Sequence, residues 1–124
     1  MNLSNKKVLF VDDNDSIRQT GSLILESWNM NVVEVTNGTD AIEKATTEHP
    51  DVMLLDVGLP SMDGFEVCKI LKDNPDTKDI AIILLTGRGA SGDIDKGYEY
   101  GADSYLIKPV DWEELKTKIG EIIE

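Results

Sequence analysis

Four short apolar runs punctuate the chain: Val8-Leu9-Phe10-Val11, Val32-Val33-Glu34-Val35, Val52-Met53-Leu54-Leu55 and Ile80-Ala81-Ile82-Ile83-Leu84-Leu85. A weaker fifth follows at Tyr105-Leu106-Ile107. The first, third and fourth are unbroken, which predicts strands covered on both faces. The second is interrupted by Glu34 and belongs nearer a sheet edge. Between the runs, apolar positions fall at helical spacing. Ile17, Gly21, Ile24, Leu25 and Trp28 share one face of a first helix. Ala41, Ile42 and Ala45 mark a second, which ends at His49 because a residue preceding proline is biased out of the helical region. Phe65, Cys68 and Leu71 mark a third, begun after Asp63 with Glu66 at capping-box spacing. Ile94 and Tyr98 share a face of a fourth, weakened by Gly92, Gly97 and Gly101. Trp112, Leu115, Ile119 and Ile122 form the stripe of a fifth, with Asp111 and Glu114 at capping-box spacing.

Strand and helix therefore alternate five times with no linker or repeat. That order predicts a single α/β domain over residues 1–124, a (βα)₅ doubly wound, five-stranded parallel sheet with helices on both faces. The sequence starts at Met1 and closes on the fifth helix, so a stand-alone protein or the first domain of a longer one is expected. In sheets of this kind ligands bind beyond the carboxyl ends of the strands.

The residues at those ends are chemically loaded. The first strand ends in Asp12-Asp13, the third in Asp56 and the fourth in Thr86, and the fifth runs into Lys108-Pro109. A lone acidic residue after a strand is usually a helix cap, and a lone Lys-Pro a turn. Here three carboxylates, a hydroxyl and an ammonium converge on one rim. Clustered carboxylates repel, so a cation is expected among them. All-oxygen ligands without nearby His or Cys point to Mg²⁺, which Mn²⁺ could replace, and away from Zn²⁺. The three carboxylates are balanced by Mg²⁺ and Lys108 together. An aspartyl phosphate would carry about −2, leaving the site at about −1 with both cations and about −4 without them. Such neutralisation is the main catalytic device of phosphoryl transfer, with Asp56 as the nucleophile.

Composition narrows the context. Hydrophobic residues make up 40% of 124, enough for a core, and no apolar run approaches a membrane span. The segment from Met1 to Lys7 lacks the apolar stretch of a signal peptide, and the one cysteine, Cys68, reads as a small buried hydrophobe. A cytoplasmic location is expected, with no membrane association. The formal charge of −12 argues against direct nucleic-acid binding, and permits a basic protein partner.

Asp12-Asp13 after the first strand, Asp56-Val57-Gly58-Leu59-Pro60 followed by Met62-Asp63-Gly64, then Thr86, Tyr105 and Lys108-Pro109 stand in a specific order. From Lys7 to Ile123 the chain resembles the receiver domains of bacterial two-component response regulators, the single-domain chemotaxis regulators among them. The resemblance implies a flavodoxin-like fold and phosphorylation of Asp56 by a sensor histidine kinase, a phosphotransfer protein or a small phosphodonor. It implies Mg²⁺ held directly by Asp13, Asp56 and the Gly58 backbone carbonyl, and by Asp12 through water. It further implies a cis bond between Lys108 and Pro109, Lys108 on the phosphoryl oxygens, and a switch in which the Thr86 hydroxyl turns to the phosphoryl group and the Tyr105 ring becomes buried. The output face would be the fourth helix, fifth strand and fifth helix, binding a downstream protein or domain, or a second copy upon phosphorylation. No turnover of an external substrate is expected.

Two departures concern phosphate lifetime: Gly58 stands where many such domains have a polar side chain, and Gly87-Arg88 follow Thr86 where alanine is often next. A haloacid-dehalogenase-type phosphatase shares the aspartate nucleophile, but its Asp-x-Asp pattern fits only Asp13 and Asp15, where a helix already starts, and its late acidic motif is missing after Lys108. A receiver-like docking module that is never phosphorylated is disfavoured because the site residues are all present. A flavin binder is disfavoured because the first strand–helix loop lacks a Ser/Thr/Gly-rich cradle.

Overall fold

The computed structural model describes residues 3–87 and 91–123, the side chains of 91–94 excepted. Its elements run β1 (Lys7–Val11), α1 (Asp15–Ser27), β2 (Asn31–Val35), α2 (Gly38–Glu48), β3 (Val52–Asp56), α3 (Gly64–Asp73), β4 (Ala81–Thr86), α4 (Ser91–Glu99), β5 (Ser104–Ile107) and α5 (Trp112–Ile123). The strands form one sheet in the order β2-β1-β3-β4-β5, every pairing parallel. This is the expected doubly wound (βα)₅, flavodoxin-like arrangement, with the Glu34-bearing strand β2 at an edge.

The unbroken apolar runs are explained by the two faces they serve. Along β1, Leu9 and Val11 join a layer with Ala41, Ala45, Phe65, Cys68 and Leu71. Val8 and Phe10 join another with Leu25, Leu115 and Ile119. β3 and β4 alternate likewise, Met53, Leu55, Ile82 and Leu84 facing the first layer and Val52, Leu54, Ile83 and Leu85 the second. Helices α2 and α3 thus cover one face of the sheet, and α1 and α5 the other. Period-two alternation is present, but both phases are apolar because both faces are dry. Cys68 is buried in the first layer, and that burial pushes its thiol up to about 11, which keeps it an unreactive core atom.

Helix ends follow the local signals. The Asn14, Asn37 and Asp63 side chains accept from Ile17, Asp40 and Glu66 N–H, and Asp111 accepts from Glu113 and Glu114 N–H. α2 stops where Pro50 requires, with His49 in the left-handed region at φ 47°. On α1 the buried face is Gly21, Ser22 and Leu25, while Ile17, Ile24 and Trp28 are half-buried. Helix α4 forms despite its glycines because Gly97 lets it approach the sheet. A Cβ there would stand 2.5 Å from Leu84 Cδ1. Gly101, at φ +96°, then turns the chain toward β5. The Ile94 side chain and Arg88 lie outside the described residues. Among the described residues, no helix is long and apolar enough to cross a membrane.

Candidate functional site

Parallel strands of similar register bring their carboxyl ends to one rim. Val11 pairs with Leu55, Asp56 with Leu85, and Thr86 with Ile107. The next residues, Asp12-Asp13 and Lys108, therefore meet Asp56 and Thr86 at one edge. Carboxylate oxygens of Asp12, Asp13 and Asp56 all lie within 4.8 Å of one another.

Asp12 is fully buried, and each of its polar atoms has a partner. Its N–H donates to Val35 O at 3.2 Å, and its backbone oxygen accepts from Arg18 Nη1 at 2.9 Å. Oδ1 accepts from Asn14 N–H at 2.9 Å, and Oδ2 accepts from Lys108 Nζ at 3.1 Å. Asp56 is 8% exposed; Oδ1 accepts from Gly58 N–H at 3.1 Å, and Oδ2 lies 3.3 Å from the same Lys108 ammonium. Asp13 is exposed on the outer side of the trio. Burial pushes the Asp56 carboxyl above the usual carboxylate range, an effect aided by the Asp12 charge. The Gly58 N–H and Lys108 oppose it without cancelling it. Burial also works against the charge on Lys108, but Asp56 and Asp12 outweigh it and hold the ammonium above its ordinary value.

The donor set fits a small hard cation. Among the described residues the three carboxylates share one ammonium, so net negative charge is left over, and the ligands they offer are oxygens. The approach of α3 is part of the build. A Cβ on Gly64 would stand 2.6 Å from the Asp56 backbone oxygen, so only glycine lets the helix begin against the loop after β3.

Thr86 is buried, and its hydroxyl has no hydrogen-bond partner, a property it shares only with Ser22 among the described residues. Its backbone oxygen accepts from Lys108 N–H, which ties it to the start of the bond between Lys108 and Pro109. That bond is cis, as expected. Tyr105 stands apart from the acidic trio, half-buried on β5, edge-to-face with Tyr98 at 5.9 Å and with Lys118 Nζ 5.8 Å from its ring centre. Asp15, the second member of the Asp-x-Asp spacing, is already in α1 and pairs with Arg18 at 2.7 Å.

Sequence reasoning missed Arg18 and Asn14, which arrange the loop after β1. A signal existed for the arginine. A cation in the first turn of a helix opposes the helix dipole, so it needs a specific anchor.

The response regulator receiver domain family matches residues 8–120. The chain is 39% identical over 119 residues to the alkaline phosphatase synthesis transcriptional regulatory protein PhoP of Bacillus subtilis, an alignment covering 96% of this chain and 49% of PhoP. It thus spans about half the length of such curated relatives. Among solved structures, a putative response regulator from Chloroflexus aurantiacus superposes with TM-score 0.92 at 32% identity, covering 97% of this chain and 98% of that one. The receiver domain of a Pseudomonas aeruginosa sensor histidine kinase, with magnesium coordinated in its active-site cleft, superposes with TM-score 0.89 at 27% identity, covering 97% and 98%.

The electrostatics of the trio set a stability test. A carboxyl whose pKa is raised by folding binds more protons folded than unfolded, so its ionisation weakens the fold as pH rises through that window. In metal-free buffer, Asp56→Asn is expected to raise the melting temperature at pH 7, and the gain should vanish as pH falls below the usual carboxylate range. Lys108→Met should act oppositely at pH 7, by about 3 kcal/mol, because it strands two buried carboxylates. Thermal unfolding followed by circular dichroism checks both signs; an Asp56→Asn protein less stable than wild type at pH 7 would contradict them.

Proposed function

The chain belongs to the response regulator receiver family and is a receiver domain of two-component systems, and we propose that Asp56 is the residue on which it takes up the phosphoryl group. The observation that carries this reading is the single Lys108 ammonium held between Asp12 and Asp56 at 3.1 and 3.3 Å, at a rim crowded with carboxylates. Such a site has a nucleophile, a fixed cation and room in its charge balance for a metal.

Asp12, Asp13, Asp56 and the Gly58 backbone carbonyl would hold Mg²⁺, and Mn²⁺ suits the same oxygens. When bound, the metal neutralises charge on the transferring group. An Asp56 carboxylate oxygen attacks phosphorus, forming the O–P bond of a mixed anhydride. The bond to the leaving group breaks, and for a phosphohistidine the nitrogen keeps the electron pair and takes up a proton from solvent. Lys108 offsets charge on the phosphoryl oxygens. Thr86 then finds its missing acceptor: a buried hydroxyl without a partner is unfavourable, and a phosphoryl oxygen relieves it. Movement of Thr86 opens space that the half-buried Tyr105 ring can enter, releasing Tyr98 of α4 from its edge-to-face contact. A Cβ on Gly58 would be 3.7 Å from Asp56 Oδ1, so the polar side chain that many relatives carry would reach the phosphoryl group; its absence here bears on phosphate lifetime.

Receiver domains are signalling proteins rather than metabolic enzymes, and they work with histidine kinases and output domains. We assign this chain a sensor kinase or phosphotransfer protein as donor, no turnover of an external substrate, and a cytoplasmic setting. Output would pass through α4, β5 and α5 to a downstream protein, domain or second copy. With a formal charge of −12, the chain itself is given no nucleic-acid contact.

Incubation with acetyl phosphate and Mg²⁺ should add one phosphoryl group per chain, lost in Asp56→Asn and on chelation by EDTA. Undiminished incorporation in that variant, read by intact-mass spectrometry, would move the acceptor elsewhere. Amide exchange with and without beryllofluoride tests the output route. Protection should change in α4 and around Tyr105; changes confined to the loops touching Asp56 would remove that face from the account.

A further inference from the structure

Arg18 is the one long cation of α1, and its guanidinium is spread over three separate segments. Nη1 donates to the backbone oxygen of Asp12 at 2.9 Å, Nη2 to Asp15 Oδ1 at 2.7 Å, and Nε lies 3.2 Å from Glu34 Oε1 on β2. The side chain is 13% exposed although it sits on an outer helix beside an edge strand. All three faces of the planar fork are thus in use, a geometry that a lysine cannot reproduce.

The Asp12 oxygen belongs to the peptide unit joining Asp12 to Asp13. Holding it fixes the plane of that peptide, and with it the Asp13 nitrogen and Cα on which that side chain is hung. Asp12 is already fixed by Val35, Asn14 and Lys108, but Asp13 is exposed and has no such framework of its own. We propose that Arg18 is a positioning residue for the metal site: it grips the Asp12 carbonyl and thereby aims the Asp13 carboxylate into the trio. This inference rests on the metal-site reading above.

The charge of Arg18 and its geometry make opposite demands, which separates the two roles. A positive group next to an acidic cation site repels the cation. If charge were its only contribution, removing Arg18 would leave Asp15 and Glu34 unpaired, make the rim more negative and tighten Mg²⁺ binding. If Arg18 acts by aiming Asp13, removal weakens binding despite the more favourable charge. Partners that orient metal ligands are commonly worth an order of magnitude or more in affinity.

The test is Mg²⁺ titration of the unphosphorylated protein by isothermal calorimetry at low and moderate salt, with melting temperature recorded in EDTA. Arg18→Met removes charge and fork while keeping an apolar stem; Arg18→Lys keeps the charge and removes the fork, and is the gentler change should the first variant fold poorly. Both are expected to raise the Mg²⁺ dissociation constant by about tenfold. The loss should persist when salt is raised, because misdirection of a ligand is not screened. An unchanged or tighter dissociation constant in Arg18→Lys, whatever its melting temperature, would overturn the proposal and leave Arg18 a structural tie. A wild-type protein that bound no Mg²⁺ would instead overturn the metal-site reading itself.

Discussion

The Asp12 carboxylate has no exposure to water, yet it is held at the end of the first strand beside a second, nearly buried carboxylate. Burying one such charge is unfavourable by several kcal/mol unless it is paired, and burying two close together is worse. The fold meets this with a lysine 96 residues away in sequence, whose ammonium reaches Asp12 and Asp56 at once. The two ends of the chain are therefore bound to the middle strand through a single cation. That cation leaves the rim short of positive charge; in our proposal a divalent metal makes up the shortage, and only then can the rim accept a phosphoryl group.

The rest of the architecture serves that rim. A sheet buried on both faces is rigid, so its strand ends hold fixed relative positions to which short loops add reactive groups. The part that we propose responds to phosphorylation lies on one side. Thr86 has a buried hydroxyl without a partner, and the helix beyond it comes close to Leu84 at Gly97. Lys96 adds a cation–π contact to Phe65 at 4.7 Å, and the Tyr98 ring meets Tyr105 edge-to-face at 5.9 Å.

Much of this was legible in the residues. Continuous apolar runs fixed which strands lie inside the sheet, Glu34 marked the edge, and the capping residues Asp63 and Asp111 act as their spacing indicated. The site was legible because parallel topology alone gathers strand ends, so residues distant in sequence fall on one rim. Other features are not written locally. Whether Asp12 or Asp13 is the buried one depends on which side of β1 the lysine after β5 approaches. Arg18 reaches the Asp12 carbonyl and Glu34 through a long flexible stem whose targets only tertiary structure selects. The fourth helix looked weak because glycines lower helix propensity, whereas here Gly97 is the residue that lets it pack.

We propose that one shared ammonium and three carboxylates form a site for a metal and a phosphoryl group at Asp56. A high-resolution structure of the protein with Mg²⁺ and beryllofluoride addresses it in one measurement. The expected result is beryllium bonded to an Asp56 carboxylate oxygen, Mg²⁺ touching Asp13 and Asp56, Lys108 Nζ on a fluoride, and Thr86 Oγ supplied with the acceptor it now lacks. Beryllofluoride bound away from Asp56, or a Lys108 still bridging Asp12 and Asp56 with no metal beside them, would contradict it.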